Sequence, residues 1–240
     1  MKIKLSHPLI SCICITQNRP SLLLKAIVSF DTQSYPNREL VISYPKWDKE
    51  TKQLIESILE VADLRIVCIE REGNESLGAA RNHAIANCNG EFICLWDDDD
   101  WYHTKRLAHQ YNTMRVNGQL REASILTRVM LFDATTQKGY LSFPYLWCGS
   151  LLCKKNHILQ HPFTNSDVAE DAQIIKYLES RKFLHYIPDS AFLYLYVYHG
   201  TNALSYFHFS YYLKKSDALD SESTDWIRSL LDVKVEVLPS

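Results

Sequence analysis

The sequence predicts an α/β fold, a mainly parallel sheet with helices on its faces. Three observations carry this. Apolar runs of strand length recur four times in the first hundred residues, a helical pattern separates each from the next, and the fourth run leads straight into WDDDDW, residues 96 to 101. Right-handed crossovers turn such alternation into a parallel sheet, and ligands of open α/β sheets bind beyond the carboxyl ends of the strands.

LISCICIT (9 to 16) is almost continuously apolar, as a strand buried on both faces is. Pro20 opens a helix through SLLLKAIVSFDTQ, because its fixed φ suits a first turn. ELVISY (39 to 44) is the second strand. DKETKQLIESILEVA (48 to 62) is a helix with Leu54, Ile55, Ile58, Leu59 and Ala62 on one face. LRIVCIE (64 to 70) is the third strand; Ser76 then caps a helix that Gly90 ends, and EFICLW (91 to 96) is the fourth strand. TQNR, the loop after the second strand, REGNES and WDDDDW thereby share one edge of the sheet.

Beyond the aspartates, HTKRLAHQYNTMRVNG (103 to 118) reads as a helix and ASILTRVMLFDA (123 to 134) as a strand. YLSFPYLWCGSLLCKK (140 to 155) reads as a strand pair or a strand and loop, and VAEDAQIIKYLESR (168 to 181) as a helix. FLHYIP and AFLYLYVYH are short strands, and a C-terminal helical region starts at Leu204. Within it SYFHFSYYLKK (205 to 215) reads as a buried helix, although aromatics followed by lysines also mark membrane interfaces and allow peripheral contact. No repeat, low-complexity tract or linker interrupts the chain, so one domain is expected.

Composition narrows the function classes. With 240 residues, 46% apolar and 22% charged, the chain can build a packed core, and a net charge of -2 gives no global attraction for nucleic acid. Charge-based function must be local. Seven cysteines, four of them in strand-like runs and none with zinc-type spacing, read as small core residues in a reducing, cytoplasmic compartment. The N-terminal MKIKLSHPLISCICI runs into TQNRP without a small-residue cleavage site, which favours a core strand over a signal peptide. No stretch reaches the roughly 18 apolar residues that span a bilayer.

Four adjacent aspartates repel one another and need a cancelling charge. A solvated acidic loop is one account; a hard divalent cation, Mg²⁺, Mn²⁺ or Ca²⁺, is the other, favoured by the buried strand that leads in without a turn. Alternate residues of an extended segment share a direction, so Asp97 and Asp99 face one ligand while Asp98 faces away, toward solvent. In SLGAARNHA (76 to 84), Gly78, Ala79 and Ala80 allow close backbone approach, and Arg81 and Asn82 can reach a diphosphate or sugar; a capped amphipathic helix explains the same residues without a ligand.

Taken together, PLISCICITQNRP, GNESLGAARNHAIANCNGEFICLWDDDDWYHTKRL and the AED of residues 169 to 171 resemble a family 2 glycosyltransferase of the GT-A fold, which is a Rossmann-like sheet with a mixed acceptor-side lobe. The resemblance implies an inverting transfer of a sugar from a nucleotide-sugar donor, commonly a UDP-sugar, to a glycan or lipid-linked acceptor, with Mn²⁺ or Mg²⁺. It implies that Asp99 binds the metal, that Asp97 lies nearer the ribose or sugar, and that Asp100 holds the sugar or the metal's water. Asp98, at the variable position of the same motif, belongs to the donor-binding run. Thr16, Asn18 and Arg19 match the loop lining the nucleotide pocket, and Arg81 matches the arginine near the diphosphate. Glu170-Asp171 resembles the pair in which the aspartate is the catalytic base and the glutamate faces the acceptor. His199 lies where some members place a further metal or diphosphate contact. Residues 1 to 102 then form a donor half, 103 to 203 an acceptor half and 204 to 240 an extension.

One departure touches donor choice. Many members end the second strand with V-D-D-G-S, whose first aspartate contacts the base; here the stretch is ISYPKWD, with Ser43 and Tyr44 in place of both aspartates. Tyr44 or Trp47 can stack on a base, or an aromatic there can pack on Pro45. Trp147 is the aromatic expected to meet the acceptor, while Tyr194, Tyr196 and Tyr198 read as packing. A nucleotidyl- or phosphoryl-transfer enzyme using the same aspartates, though TQNRPS supplies no phosphate loop, and a non-catalytic nucleotide-sugar-binding module are the alternatives.

Overall fold

The structure, a computed structural model, describes residues 7–116, 119–202 and 204–232. Strand and helix alternate as β1 (Ile10–Ile15), α1 (Pro20–Asp31), β2 (Arg38–Pro45), α2 (Lys49–Val61), β3 (Ile66–Arg71), α3 (Leu77–Ala86) and β4 (Phe92–Leu95). Then come β5 (Trp101–Tyr102), α4 (Arg106–Thr113), β6 (Arg115–Val116), β7 (Gln119–Leu120), β8 (Ala123–Leu126), β9 (Met130–Asp133) and β10 (Lys138–Leu141). The chain continues through β11 (Leu152–Lys154), α5 (Lys155–Gln160), α6 (Ala172–Ser180), β12 (Leu184–Ile187), β13 (Tyr194–Tyr198), α7 (Tyr206–Leu213), β14 (Asp217–Ala218) and α8 (Ser221–Leu231).

The main sheet has seven strands in the order β12-β8-β11-β4-β1-β2-β3. β4, β1, β2 and β3 run parallel, and β11 is antiparallel to both of its neighbours, β4 and β8. The apolar runs are continuous because both faces of this sheet are covered. Cys12, Cys14, Leu40, Ile42 and Cys94 join one buried cluster with α1, while Ile13, Val41, Ile93 and Leu95 join another with α3, α5 and α6. Each such side chain contributes roughly 1.5–3 kcal/mol on burial. A second sheet, β14-β10-β9-β13-β5, stands beside the first.

Several boundaries differ from the sequence reading. α3 ends at Ala86 with Asn87 as its cap. Gly90 instead serves strand contact, since a Cβ there would lie 2.4 Å from Ser11 Oγ and 2.6 Å from the Phe92 carbonyl oxygen. On α2, Ile55 is buried but Leu59 is exposed. The helix read as 103 to 118 covers only Arg106–Thr113 and is followed by the β6-β7 hairpin; residues 117–118 lie outside the described residues. The run 123 to 134 is two strands in different sheets, β8 and β9, separated by Thr127, Arg128 and Val129, where no glycine or proline marks the break. Residues 233–240 of the C-terminal extension also lie outside the described residues. Among the described residues no helix is long and apolar enough to cross a membrane, and all seven cysteines are free thiols.

Candidate active site

The aspartates are the crossover between the two sheets. β4 ends at Leu95 in the first sheet and β5 begins at Trp101 in the second, so the run between them is stretched across the junction. Trp96 anchors its start: it is fully buried, its indole N–H donates to the Ala26 carbonyl at 3.1 Å, and its ring lies 4.1 Å from that of Tyr102. Tyr102 turns back, its hydroxyl accepting the Asp97 amide at 2.7 Å.

Each aspartate then meets a different partner. Asp97 pairs with Arg81 at 2.8 Å. Asp98 is 1% exposed, which corrects the expectation that it faces solvent: Thr16 Oγ1 donates to it at 2.6 Å and Arg19 lies 2.8 Å from its Oδ1 in ionic contact without hydrogen-bond geometry. Asp99 receives Arg19 at 2.9 Å, the amide of Asn202 at 3.4 Å and His199 Nε2 at 3.3 Å. Asp100 accepts the Tyr194 hydroxyl at 2.5 Å and the Val197 amide at 2.9 Å, which commits both its oxygens to β13. An extended strand would have alternated these directions; a bend crossing between sheets sends them four ways.

The electrostatics follow. Burial, reinforced by the charge of Asp99, pushes the Asp98 carboxyl up to about 7. Burial and the charges of Asp99 and Asp97 drive Asp100 well above the usual carboxylate range. Burial would raise Asp99 too, but hydrogen bonding from His199 and the Arg19 charge outweigh it and hold Asp99 below its ordinary value. Two guanidiniums, Arg19 and Arg81, and protonation therefore share the charge of the run.

Behind it lies a third cation. Arg106 is fully buried, and among the described residues it has no carboxylate partner: Nη2 donates to the carbonyls of Leu95 and Gly149 at 3.0 Å each, Nε donates to Gln110 at 3.1 Å, and Nη1 is unpaired. Its guanidinium lies 4.3 Å from the Tyr102 ring centre and 5.2 Å from that of Tyr194, the two phenols that hold Asp97 and Asp100. Nothing local in KRL distinguishes this arginine from a surface one.

The loop TQNR is built around Asn18, whose φ of 53° is left-handed, a conformation asparagine tolerates better than most residues. Its amide donates to Asp48 Oδ2 at 2.6 Å, and the same carboxylate caps α2 through Thr51. Asp48, in the ISYPKWD stretch, thus ties the first loop to the second strand; D-K-E-T before a helical pattern was its sequence signal. Tyr44 is buried, which corrects its reading as a base-stacking residue, and Trp47 is half-exposed and donates to the Glu72 carbonyl beside Pro45 and Gly73.

α3 supplies Arg81. Ser76 caps the helix through the Ala79 amide, as expected. The close approach that Gly78 permits is to the chain rather than to a ligand: a Cβ there would sit 1.9 Å from the Thr164 carbonyl oxygen. Asn82 is likewise committed to the Phe163 backbone, donating to its carbonyl and accepting its amide, which corrects its reading as a diphosphate contact. Arg81 spans Asp97 on one side and Glu170 on the other. Burial raises the Glu170 carboxyl despite this arginine, with the Asp171 charge adding to the effect. Ala169, at φ 53°, turns the chain immediately before the pair. Asp171 is the N-cap residue of α6; the Cys148 thiol donates to the Leu146 carbonyl at 3.5 Å, and its ionisation is pushed up first by burial and then by the Asp171 charge.

A cavity of about 350 Å³ collects these groups: Arg19, Arg81, Asp97 to Asp100, Trp147, Glu170 and Asp171 all line it, together with Tyr145, Asn202, His208 and Tyr212. Trp147 is 6% exposed, and its indole N–H has no partner among the described residues. Thr16 and His199 do not line it but contact lining residues, Asp98 and Asp99 respectively, and Asn18 bonds Asp48, outside the lining.

Among the described residues no group of three or more histidine, cysteine, aspartate or glutamate side chains is arranged to hold a metal ion. The donor set nevertheless suits a hard divalent ion held partly by its substrate. Asp99 and His199 bring one carboxylate oxygen and one imidazole nitrogen within 3.3 Å of each other, and an ion there would keep most positions for diphosphate oxygens or water.

Comparison with known proteins shows the family and the fold. Residues 11–163 match the family described as Glycosyl transferase family 2. A putative colanic acid biosynthesis glycosyl transferase, WcaA, of Escherichia coli K12 is 36% identical over 103 residues, 43% of this chain and 37% of its own. The E. coli UDP-Glc:alpha-D-GlcNAc-diphosphoundecaprenol beta-1,3-glucosyltransferase WfaP is 28% identical over 106 residues, 44% of this chain and 41% of its own. The chain thus spans less than half the length of these relatives. In three dimensions it resembles the mannosyltransferase PcManGT of Pyrobaculum calidifontis, solved with GDP-Man and Mn2+, at a TM-score of 0.66 and 16% identity over 88% of this chain and 63% of that one. The fold is of the GT-A type, and the chain belongs to glycosyl transferase family 2.

Proposed function

We propose that this chain is a metal-dependent, inverting glycosyltransferase that moves a hexosyl or N-acetylhexosaminyl group from a nucleotide sugar to a hydroxyl of a glycan or lipid-linked acceptor in the cytoplasm. The observation that carries the reading is the single cavity onto which the aspartate run, Arg19, Arg81 and Asp171 all open. WfaP, a relative named for UDP-Glc and a diphosphoundecaprenol acceptor, supports both substrate classes, with UDP as the favoured carrier; the loss of the strand-two aspartates to Ser43 and Tyr44 leaves the base to experiment.

In this reading Asp171 accepts the proton of the acceptor hydroxyl as its oxygen attacks the anomeric carbon, and the bond from that carbon to the nucleoside diphosphate breaks on the opposite face, which inverts the centre. Arg81 neutralises the departing diphosphate, joined by the more open Arg19 of the nucleotide-pocket loop, and Arg81 also holds Asp97 and Glu170 at the donor and acceptor sides. A divalent cation, Mn²⁺ or Mg²⁺, held by Asp99 and His199, supplies further charge neutralisation when bound. Thr16 and Asn18 shape the nucleotide side, Asp98 and Asp100 fix the run, and Trp147 with Glu170 meets the acceptor. Residues 1 to 102 carry the donor half, 103 to 203 the acceptor half and 204 to 240 an extension. A thermal-shift panel of nucleotide sugars with and without Mn²⁺ tests this: one donor should stabilise the protein in a metal-dependent way. Stabilisation by none would overturn the proposal.

A further inference from the structure

The helix read from sequence as buried has one face that is not. α7 divides its residues three ways. Phe209 is fully buried against Tyr196 and Tyr198. His208 and Tyr212, one turn apart and hydrogen-bonded at 2.8 Å, line the active-site cavity. Phe207, Tyr211 and Lys214, spaced i, i+4 and i+7, share the third face, and there Phe207 is 84% and Tyr211 52% exposed. Lys215 extends this face, its ammonium 4.1 Å from the Tyr211 ring centre. Tyr145, half-exposed on the cavity wall, lies 6.0 Å from Tyr212 and continues the aromatic surface to the cavity mouth.

We infer that this face of α7 docks on an anionic lipid bilayer and so presents the cavity to an acceptor carried in that membrane; the acceptor part rests on the function proposed above. Large side chains are seldom left this open in a row without a partner. The composition decides which partner. Tyrosine joins an apolar ring to a polar tip and suits headgroup depth, and lysines at the helix end reach lipid phosphates. The nearby acid, Asp217, is 82% exposed and lies 4.0 Å from Arg128, which offsets it. An eight-residue helix is only about 12 Å long, too short for its one outward face to supply the roughly 800 Å² per partner of a stable dimer. Because the outward and cavity-lining faces belong to one helix, docking sets the cavity mouth at the depth of a lipid-borne diphosphate sugar.

Flotation of the whole chain with vesicles tests this without donor or acceptor, so failure of the glycosyltransferase reading leaves the result interpretable. The protein should float with phosphatidylcholine vesicles containing phosphatidylglycerol, should be released by salt, and should stay behind with phosphatidylcholine alone. Lys214→Gln should lower the partition about fivefold, and Phe207→Ser by a similar factor, with thermal midpoints unchanged. No flotation of the parent protein, or flotation of both variants equal to the parent's, would overturn the inference. A dimer in sedimentation equilibrium that Phe207→Ser dissolves would overturn it in favour of a second copy of the chain.

Discussion

Asp97 and Glu170, one from the aspartate run and one from the loop before α6, meet on a single side chain. Arg81 bonds both, and all three line the same cavity. The two carboxylate clusters therefore do not sit independently across the cavity but are held in register through one buried guanidinium. Arg81→Met would leave two carboxylates facing each other without a cation and is expected to cost about 3–5 kcal/mol in denaturant unfolding. Glu170→Gln keeps a hydrogen-bonding oxygen and should cost less than half of that.

Gly78→Ala tests the same junction from the backbone. The added methyl would meet the Thr164 carbonyl at 1.9 Å, and the Thr164 amide in turn donates to the Glu170 carbonyl at 2.9 Å. A loss of about 3 kcal/mol is expected, together with a fall in kcat as the Glu170-Asp171 segment is displaced.

Asp98 makes the apo protein sensitive to pH. Its folded-state carboxyl titrates at about 7 against an ordinary 3.8, so the folded form holds a proton that the unfolded chain has lost. That contribution is complete below about pH 4 and disappears as pH rises through about 7, a change on the order of 4 kcal/mol at 1.36 kcal/mol per unit. In EDTA, Asp98→Asn should flatten the melting temperature between pH 4 and 7 and raise it at pH 8. An unchanged pH profile would remove Asp98 as the titrating group.

Asp171→Asn should separate chemistry from binding. Transfer is expected to fall by about 10²- to 10⁴-fold, while the donor-induced thermal shift stays intact. Equal loss of both would assign Asp171 to the donor site instead of the acceptor proton.

Arg106→Lys keeps the buried charge and removes the fork that serves Leu95, Gly149 and Gln110. Each orphaned carbonyl costs about 1–3 kcal/mol, so unfolding by urea should show a loss of that order or twice it. Because Tyr102 and Tyr194 stack on this cation and hold Asp97 and Asp100, the donor-induced thermal shift should fall as well.

Much of the first hundred residues was legible. The strands there are sandwiched, so their apolar runs are unbroken, and the helices carry local signals: Pro20 at a first turn, Ser76 at a cap. The second half was harder because its strands are two to five residues long and alternate between sheets. A run such as ASILTRVMLFDA reads as one strand until its two ends are seen to pair with β12 and β13. The outward face of α7 was missed for a related reason: an aromatic-rich octapeptide has the composition of a core, and only its neighbours reveal which side is covered.

The sequence by itself determined the parallel part of the main sheet, the edge at which its loops converge and the chemical types gathered there, because strand burial and helix capping are written in local pattern. The tertiary structure alone decided how the four aspartates divide their work. They bridge two sheets, and each carboxylate meets a partner that only the fold brings to it: Arg81 for Asp97, Thr16 and Arg19 for Asp98, His199 for Asp99, Tyr194 for Asp100. Electrostatic energy depends on distance and burial, and neither is carried by the spacing of letters in WDDDDW.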